Sequence, residues 1–276
     1  MAAGVLGNAF YLSFYCSRKL TSPKLSPTDA ILAQLALTNA VLLLSKGIPE
    51  AMFSFRLEHF LGNVGCKFVF YLQRVSRGTS ICLTGILSAF QALAVSPHSS
   101  RLAPFQSRSP KCVGRSCVQC WLASLLLDLY VPLYITGPRS GNSSLPRGVD
   151  LGYCFWEVVF SELAVLPSFR DVSFVACMAF ASSYLVLLLY RHQRRTRHIH
   201  GSSLRARPSP ELKATRTILL LVGTFISAYC VSGSYLLYRV HRAESSAWAE
   251  HVLLLMTLSF PASSPFIMMP RQRTKS

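Results

Sequence analysis

Ile218–Tyr238 reads ILLLVGTFISAYCVSGSYLLY, twenty-one residues without a single charge. As an α-helix this run would rise about 31 Å, enough to cross the hydrocarbon core of a bilayer. Upstream, Val172–Tyr190 (VSFVACMAFASSYLVLLLY) is a second uncharged run, and it stops at the basic block Arg191-His192-Gln193-Arg194-Arg195. Working outward in both directions finds five more apolar segments, so that helices are expected at about 1–16, 30–55, 66–95, 112–135, 165–190, 218–238 and 250–269. The pattern predicts an all-α membrane protein, a seven-transmembrane helix bundle. Composition agrees: 51% of the 276 residues are hydrophobic and only 14% charged, where soluble domains carry about 25%. A disordered chain and an ordinary soluble enzyme are thereby excluded. With no repeat at a solenoid period and no Gly/Ser-rich linker, residues 1–276 read as one domain.

Lys and Arg set the orientation. With the N-terminus outside and the C-terminus inside, connections 17–27, 96–111, 191–217 and 270–276 are cytoplasmic and hold seventeen basic residues. The outer connections 56–65, 136–162 and 239–248 hold five. That asymmetry is the positive-inside pattern of a multi-pass protein. It also accounts for the net charge of +17 without a nucleic-acid partner, and it makes anionic membrane lipid a natural contact. Localisation is expected at the plasma membrane. Residues 1–16 would rise only about 24 Å and show no signal-peptide pattern, so the first helix reads as truncated by a turn or two.

This topology places two of the nine Cys, Cys66 and Cys154, on the oxidising side, where a disulfide persists. Two free thiols are the alternative. Cys112, Cys117 and Cys120 include a C-x-x-C, but no second pair or His accompanies it, so no metal and no cofactor is expected. Asn142-Ser143-Ser144 is a glycosylation triplet in the longest outer loop.

Lys46, Glu50, Arg74, Arg77, Asp128, Arg170 and Asp171 fall within or beside apolar segments. Charges at that depth face a cavity or a partner. Arg74 and Arg77 share a helix face, and Lys46 and Glu50 flank Pro49, which should kink the second helix. Two readings stand: an outward pocket whose basic side receives an anionic or strongly polar small molecule, or internal pairs joining Arg74 or Arg77 to Asp171 or Glu50. The 191–217 connection, with Arg191, Arg194, Arg195, Arg197, Lys213 and Arg216, either docks a cytosolic partner or sets topology and attracts lipid. His198-Ile199-His200 within it reads as solvated. No G-x-S-x-G, H-E-x-x-H, Walker loop or G-x-G-x-x-G occurs, so an enzyme is not expected.

Particular motifs go further. Gly7-Asn8 stands in the first helix; Leu35-Ala36-Leu37-Thr38-Asn39 and Leu44-Ser45-Lys46-Gly47-Ile48-Pro49 stand in the second. The third opens with Gly65-Cys66-Lys67, continues through Phe70-Tyr71-Leu72, Arg74-Val75 and Arg77-Gly78, and ends in Ser88-Ala89-Phe90-Gln91-Ala92 and Ser96-Pro97, with no Asp-Arg-Tyr. Tyr134-Ile135-Thr136-Gly137-Pro138, Asp150-Leu151-Gly152-Tyr153-Cys154, Leu189-Tyr190-Arg191-His192, Ser209-Pro210-Glu211, Phe260-Pro261 and Ser264-Pro265-Phe266 follow. In combination, over nearly the whole chain, these motifs resemble the vomeronasal type-1 receptors, a family of pheromone-sensing G-protein-coupled receptors. The resemblance implies a small organic, pheromone-like ligand bound between the helices from outside and an inhibitory-class heterotrimeric G protein as partner. Carried over, it gives Cys66–Cys154 as the outer disulfide and the 191–217 loop as part of the G-protein face. Beside it, Lys46, Glu50, Gln73, Arg74, Arg77 and Asp171 stand as candidate ligand contacts, and Ser96 as a further G-protein-facing candidate. The chain departs from the family pattern with Gln73 in place of His and Arg170 in place of Pro. A non-signalling receptor remnant, and behind it a transporter or channel, are the alternative readings.

Overall fold

The computed structural model describes residues 1–21, 26–55, 60–95, 103–138, 148–150, 153–157, 162–199, 216, 219–231, 234 and 247–268. Among these, seven helices follow one another: α1 (Ala2–Thr21), α2 (Pro27–Ser54), α3 (Asn63–Val95), α4 (Ala103–Leu127), α5 (Glu162–Ile199), α6 (Leu219–Val231) and α7 (Ala247–Met268). Ser96, Asn142 and Lys213 lie outside the described residues.

Burial is arranged as lipid demands. Large apolar side chains such as Leu6, Leu126, Phe169, Phe180 and Leu220 point outward, with Phe180 78% exposed. Polar groups such as Asn8, Asn39, Ser80, Thr84 and Asp128 are buried. Aliphatic groups such as Ile31, Leu35, Ile81 and Leu87 fill the interior between them; in a bilayer the buried polar groups must find partners inside the bundle. α3 runs through the middle. Its Thr84 and Ser88 hydroxyls donate back to the Ser80 and Thr84 carbonyls at 2.7 and 2.9 Å, which satisfies them without another helix.

Three proline effects shape the packing. Pro27 sits in the first turn of α2, where its missing N–H is no loss. Pro49 lies inside α2 and withholds the donor owed to the Ser45 carbonyl four residues back. The Gln73 side-chain amide of α3 supplies it instead, at 2.9 Å. In α7, Pro265 likewise withholds a donor from the Pro261 carbonyl, and Asn8 Nδ2 of α1 donates there at 3.0 Å. The first and last helices are brought together by small residues: a Cβ on Gly4 would lie 2.7 Å from the Ala262 Cα. Asn39 Nδ2 donates to Ser264 Oγ at 2.8 Å, and Ser80 Oγ donates to Asn39 Oδ1 at 3.2 Å. These bonds join α1, α2, α3 and α7.

The helix ends differ from the sequence expectation. α1 continues past Cys16 through Arg18 and Lys19 to Thr21, so its twenty residues rise about 30 Å. The apolar run expected as helix over 112–135 is helical only to Leu127, and a 3-10 turn follows at Val131–Leu133. Pro132 cannot donate to the Asp128 carbonyl and disfavours helix at Val131. A small antiparallel sheet not anticipated from the sequence follows: β1 (Ile135–Thr136), β2 (Gly148–Asp150) and β3 (Phe155–Glu157), in the order β1-β3-β2. Ile135 and Val149 both pair with Trp156.

Candidate functional site

Cys66, in the first turn of α3, is bridged to Cys154 with Cα atoms 5.8 Å apart. The bridge sits in a small apolar cluster with Phe70, Val131, Ile135 and Tyr153. It fastens the sheet across the mouth of the bundle and marks that end as the one facing the oxidising compartment. Tyr153, beside the bridge, donates its hydroxyl to Glu50 Oε2 of α2 at 3.2 Å.

Deeper, four charges meet. Arg170 Nη1 of α5 lies 3.1 Å from Asp128 Oδ2, just past the end of α4, and its Nη2 lies 2.9 Å from Asp171 Oδ1. Arg74 of α3 approaches the other Asp128 oxygen at 3.6 Å, an ion pair longer than a hydrogen bond. The Arg170 guanidinium fits over Gly78, where a Cβ would come within 2.7 Å of its Cζ. Asp128 is fully buried, and Arg170 and Asp171 nearly so. Two cations against two carboxylates leave the group neutral, the condition under which buried charges persist. The pairs expected from the sequence, Arg74 or Arg77 with Asp171 or Glu50, are not those formed. Asp171 goes to the adjacent Arg170, Asp128 takes Arg74, and Glu50 goes to Tyr153.

Arg77, one turn below Gln73 on α3, lies outside that cluster. Its Cζ stands 5.1 Å from the centre of the Tyr229 ring of α6, a cation–π contact. Beside it opens a cavity of about 40 Å³ between α2, α3, α6 and α7, lined by Leu42, Arg77, Ser80, Phe225, Tyr229, Phe260 and Pro261 among others. Phe225 and Phe260 meet edge to face at 4.7 Å across it. Lys46 of α2 is half-buried. Of the sequence candidates, the structure therefore brings Arg77 to a cavity and Arg74 and Asp171 to the ion cluster. Gln73 goes to the Ser45 carbonyl. Tyr229 carried no distinguishing signal in the sequence; Asp128 and Arg170 were visible as charges in apolar runs, but their pairing was not.

At the opposite end, Arg191 and Arg216 are exposed. Arg194, Arg195 and Arg197 lie on the final turns of α5, which extends to Ile199, past the apolar run that ends at Tyr190. Among the described residues no group of three or more His, Cys, Asp or Glu is placed to hold a metal ion.

Seven helices closed by a bridge from the third helix to the outer loop define a fold of the rhodopsin type. The crystal structure of squid rhodopsin superposes with a TM-score of 0.71 over 97% of this chain and 73% of that one, at 15% identity, a likeness of fold. The family model of the vomeronasal organ pheromone receptor family matches residues 1–274. Vomeronasal type-1 receptor 4 of Homo sapiens is 39% identical over 274 residues, which are 96% of this chain and 89% of the relative. Olfactory receptor class A-like protein 1 of Danio rerio is 30% identical over 277 residues, 98% of this chain and 86% of the relative. The chain belongs to the vomeronasal type-1 receptor family. It is thus a multi-pass receptor of the plasma membrane, and its family and fold are those of a receptor and not of an enzyme.

Proposed function

We propose that this receptor binds a small organic, pheromone-like ligand from the outside, between α2, α3, α6 and α7, and activates an inhibitory-class heterotrimeric G protein. The observation that carries the reading is the cavity at Arg77 and Tyr229. It joins helices from both halves of the chain, so a ligand there changes how α6 sits against α3. The basic end of α5, with Arg191, Arg194, Arg195 and Arg197, and Arg216 ahead of α6 form the G-protein face, joined by Ser96 and Lys213. Asn142 carries a glycan on the outer loop.

The test is expression of the full chain with an inhibitory-class Gα subunit and a cyclic AMP reporter, against broad panels of volatiles and steroids. A ligand-dependent fall in cyclic AMP, abolished by a toxin that uncouples that class, is the expected result. Silence from a chain shown by surface labelling to reach the plasma membrane would overturn it. Retention inside the cell would favour the non-signalling remnant, and ligand flux through liposomes a transporter.

A further inference from the structure

Among the described charges around the site, four cations, Lys46, Arg74, Arg77 and Arg170, stand against three carboxylates, Glu50, Asp128 and Asp171. Asp128 and Asp171 are engaged by Arg74 and Arg170, and Glu50 accepts from Tyr153. Among the described residues, no carboxylate comes within 4.0 Å of Lys46 or Arg77. Lys46 lies one turn from Leu42 of the cavity wall on the same face of α2, so a second cation stands beside the α2–α3 interface. Arg77 lies about 16 Å below Cys66 along α3, deep enough that an unpaired guanidinium is costly. Its present partner is Tyr229, whose ring face and phenol oxygen offer less to a cation than an anion does. The rest of the cavity wall, Leu42, Phe225, Phe260 and Pro261, is apolar.

A cavity of about 40 Å³ has room for little more than water. An organic ligand enters only if something moves, and the Tyr229 ring closing over Arg77 is the group placed to do so. Resting on the receptor reading above, we propose that the ligand class is an amphiphilic monoanion, a carboxylate or sulfonate on a compact apolar body. Its head group replaces the Tyr229 ring as the partner of Arg77, Lys46 adds a second positive charge, and its body lies against Leu42, Phe225 and Phe260. Binding thereby exchanges an α3–α6 contact for an α3–ligand contact. The Arg170 cluster is what keeps Arg77 available, because it takes up the two nearby carboxylates.

The test uses the full receptor in lipid nanodiscs and calorimetric titration with three matched pairs: naphthylacetate, phenylbutyrate and naphthylpropionate, each against its methyl ester. At least one acid is expected to bind about tenfold or more tightly than its ester, the scale of one buried charge-assisted contact. Arg77→Gln should erase that preference, and Arg77→Lys should retain part of it. Tyr229→Ala, which removes the competing ring, should tighten the acid and leave the ester unchanged. Where Arg77→Gln fails to fold, the Arg77→Lys and Tyr229→Ala results decide. Equal binding of acids and esters, no binding by any pair, or an acid preference that survives Arg77→Gln would each overturn the proposal. The cyclic AMP assay separates it from the signalling reading. Acids that bind without a G-protein response count against signalling alone, and a response to esters only counts against the anion site alone.

Discussion

Arg170 joins α5 to both α3 and α4, because one guanidinium faces Asp128 and Asp171 while lying on Gly78. Removing it leaves two buried carboxylates with Arg74 alone, at 3.6 Å. Arg170→Ala should destabilise the receptor by about 3–5 kcal/mol, read from thermal unfolding in micelles. The double variant Arg170→Gln with Asp128→Asn should recover most of that loss; if it is no better than the single variant, the ion cluster is not the cause. Gln73 makes a second, subtler case. Its amide answers the carbonyl that Pro49 leaves free, so Gln73→Ala should cost roughly 1 kcal/mol, the scale of an interhelical bond in membranes. In a Pro49→Ala background, where the helix can supply its own donor, the same change should cost close to nothing; an unchanged cost there would sever the two residues. That Asp128 and Arg74 needed partners was legible from charges in apolar runs. Which partner each chose was not, because Asp128 and Arg170 are 42 positions apart and no spacing rule links residues on different helices.

At the scale of elements, apolar length located the helices and local chemistry decided where they stopped. Pro132 ends the helical part of the 112–135 run early, and Arg18 and Lys19 do not end α1. Charged side chains continue a helix readily once it leaves the lipid, whereas hydropathy sees only the apolar portion. The outer sheet escaped notice because its strands are two or three residues long, too short for an alternation to be read. The α1–α7 contact depends on absent side chains. Gly4→Leu should force the helices apart, since even a Cβ would sit 2.7 Å from Ala262 Cα. A loss of about 1–3 kcal/mol is expected from overpacking, with a lower unfolding temperature as the readout. A neutral result would mean the two helices are not held at that distance.

Over the whole molecule, the count of Lys and Arg and the position of the bridge agree on which end faces outward. A tag in the 191–217 connection should be reached by antibody only after permeabilisation, and glycosidase should shift the mobility of the intact chain but not of Asn142→Gln. Staining of intact cells at that tag would overturn the orientation. The seven-helix architecture was legible because a bilayer imposes one length and one polarity on every crossing. The cavity was not, since it is made where side chains from four helices happen to leave space, and Tyr229 looks like any aromatic in an apolar run.

The Asn8 bond to the Pro261 carbonyl ties the first helix to the seventh. While the ribosome is still making α7, Asn8 has no such acceptor, and the groove beside Gly4 and Gly7 stands empty. The ring of helices therefore closes only once α7 has been made and has entered the bilayer. Until then the nascent receptor presents an open polar seam, and cellular surveillance of its maturation has that seam to inspect.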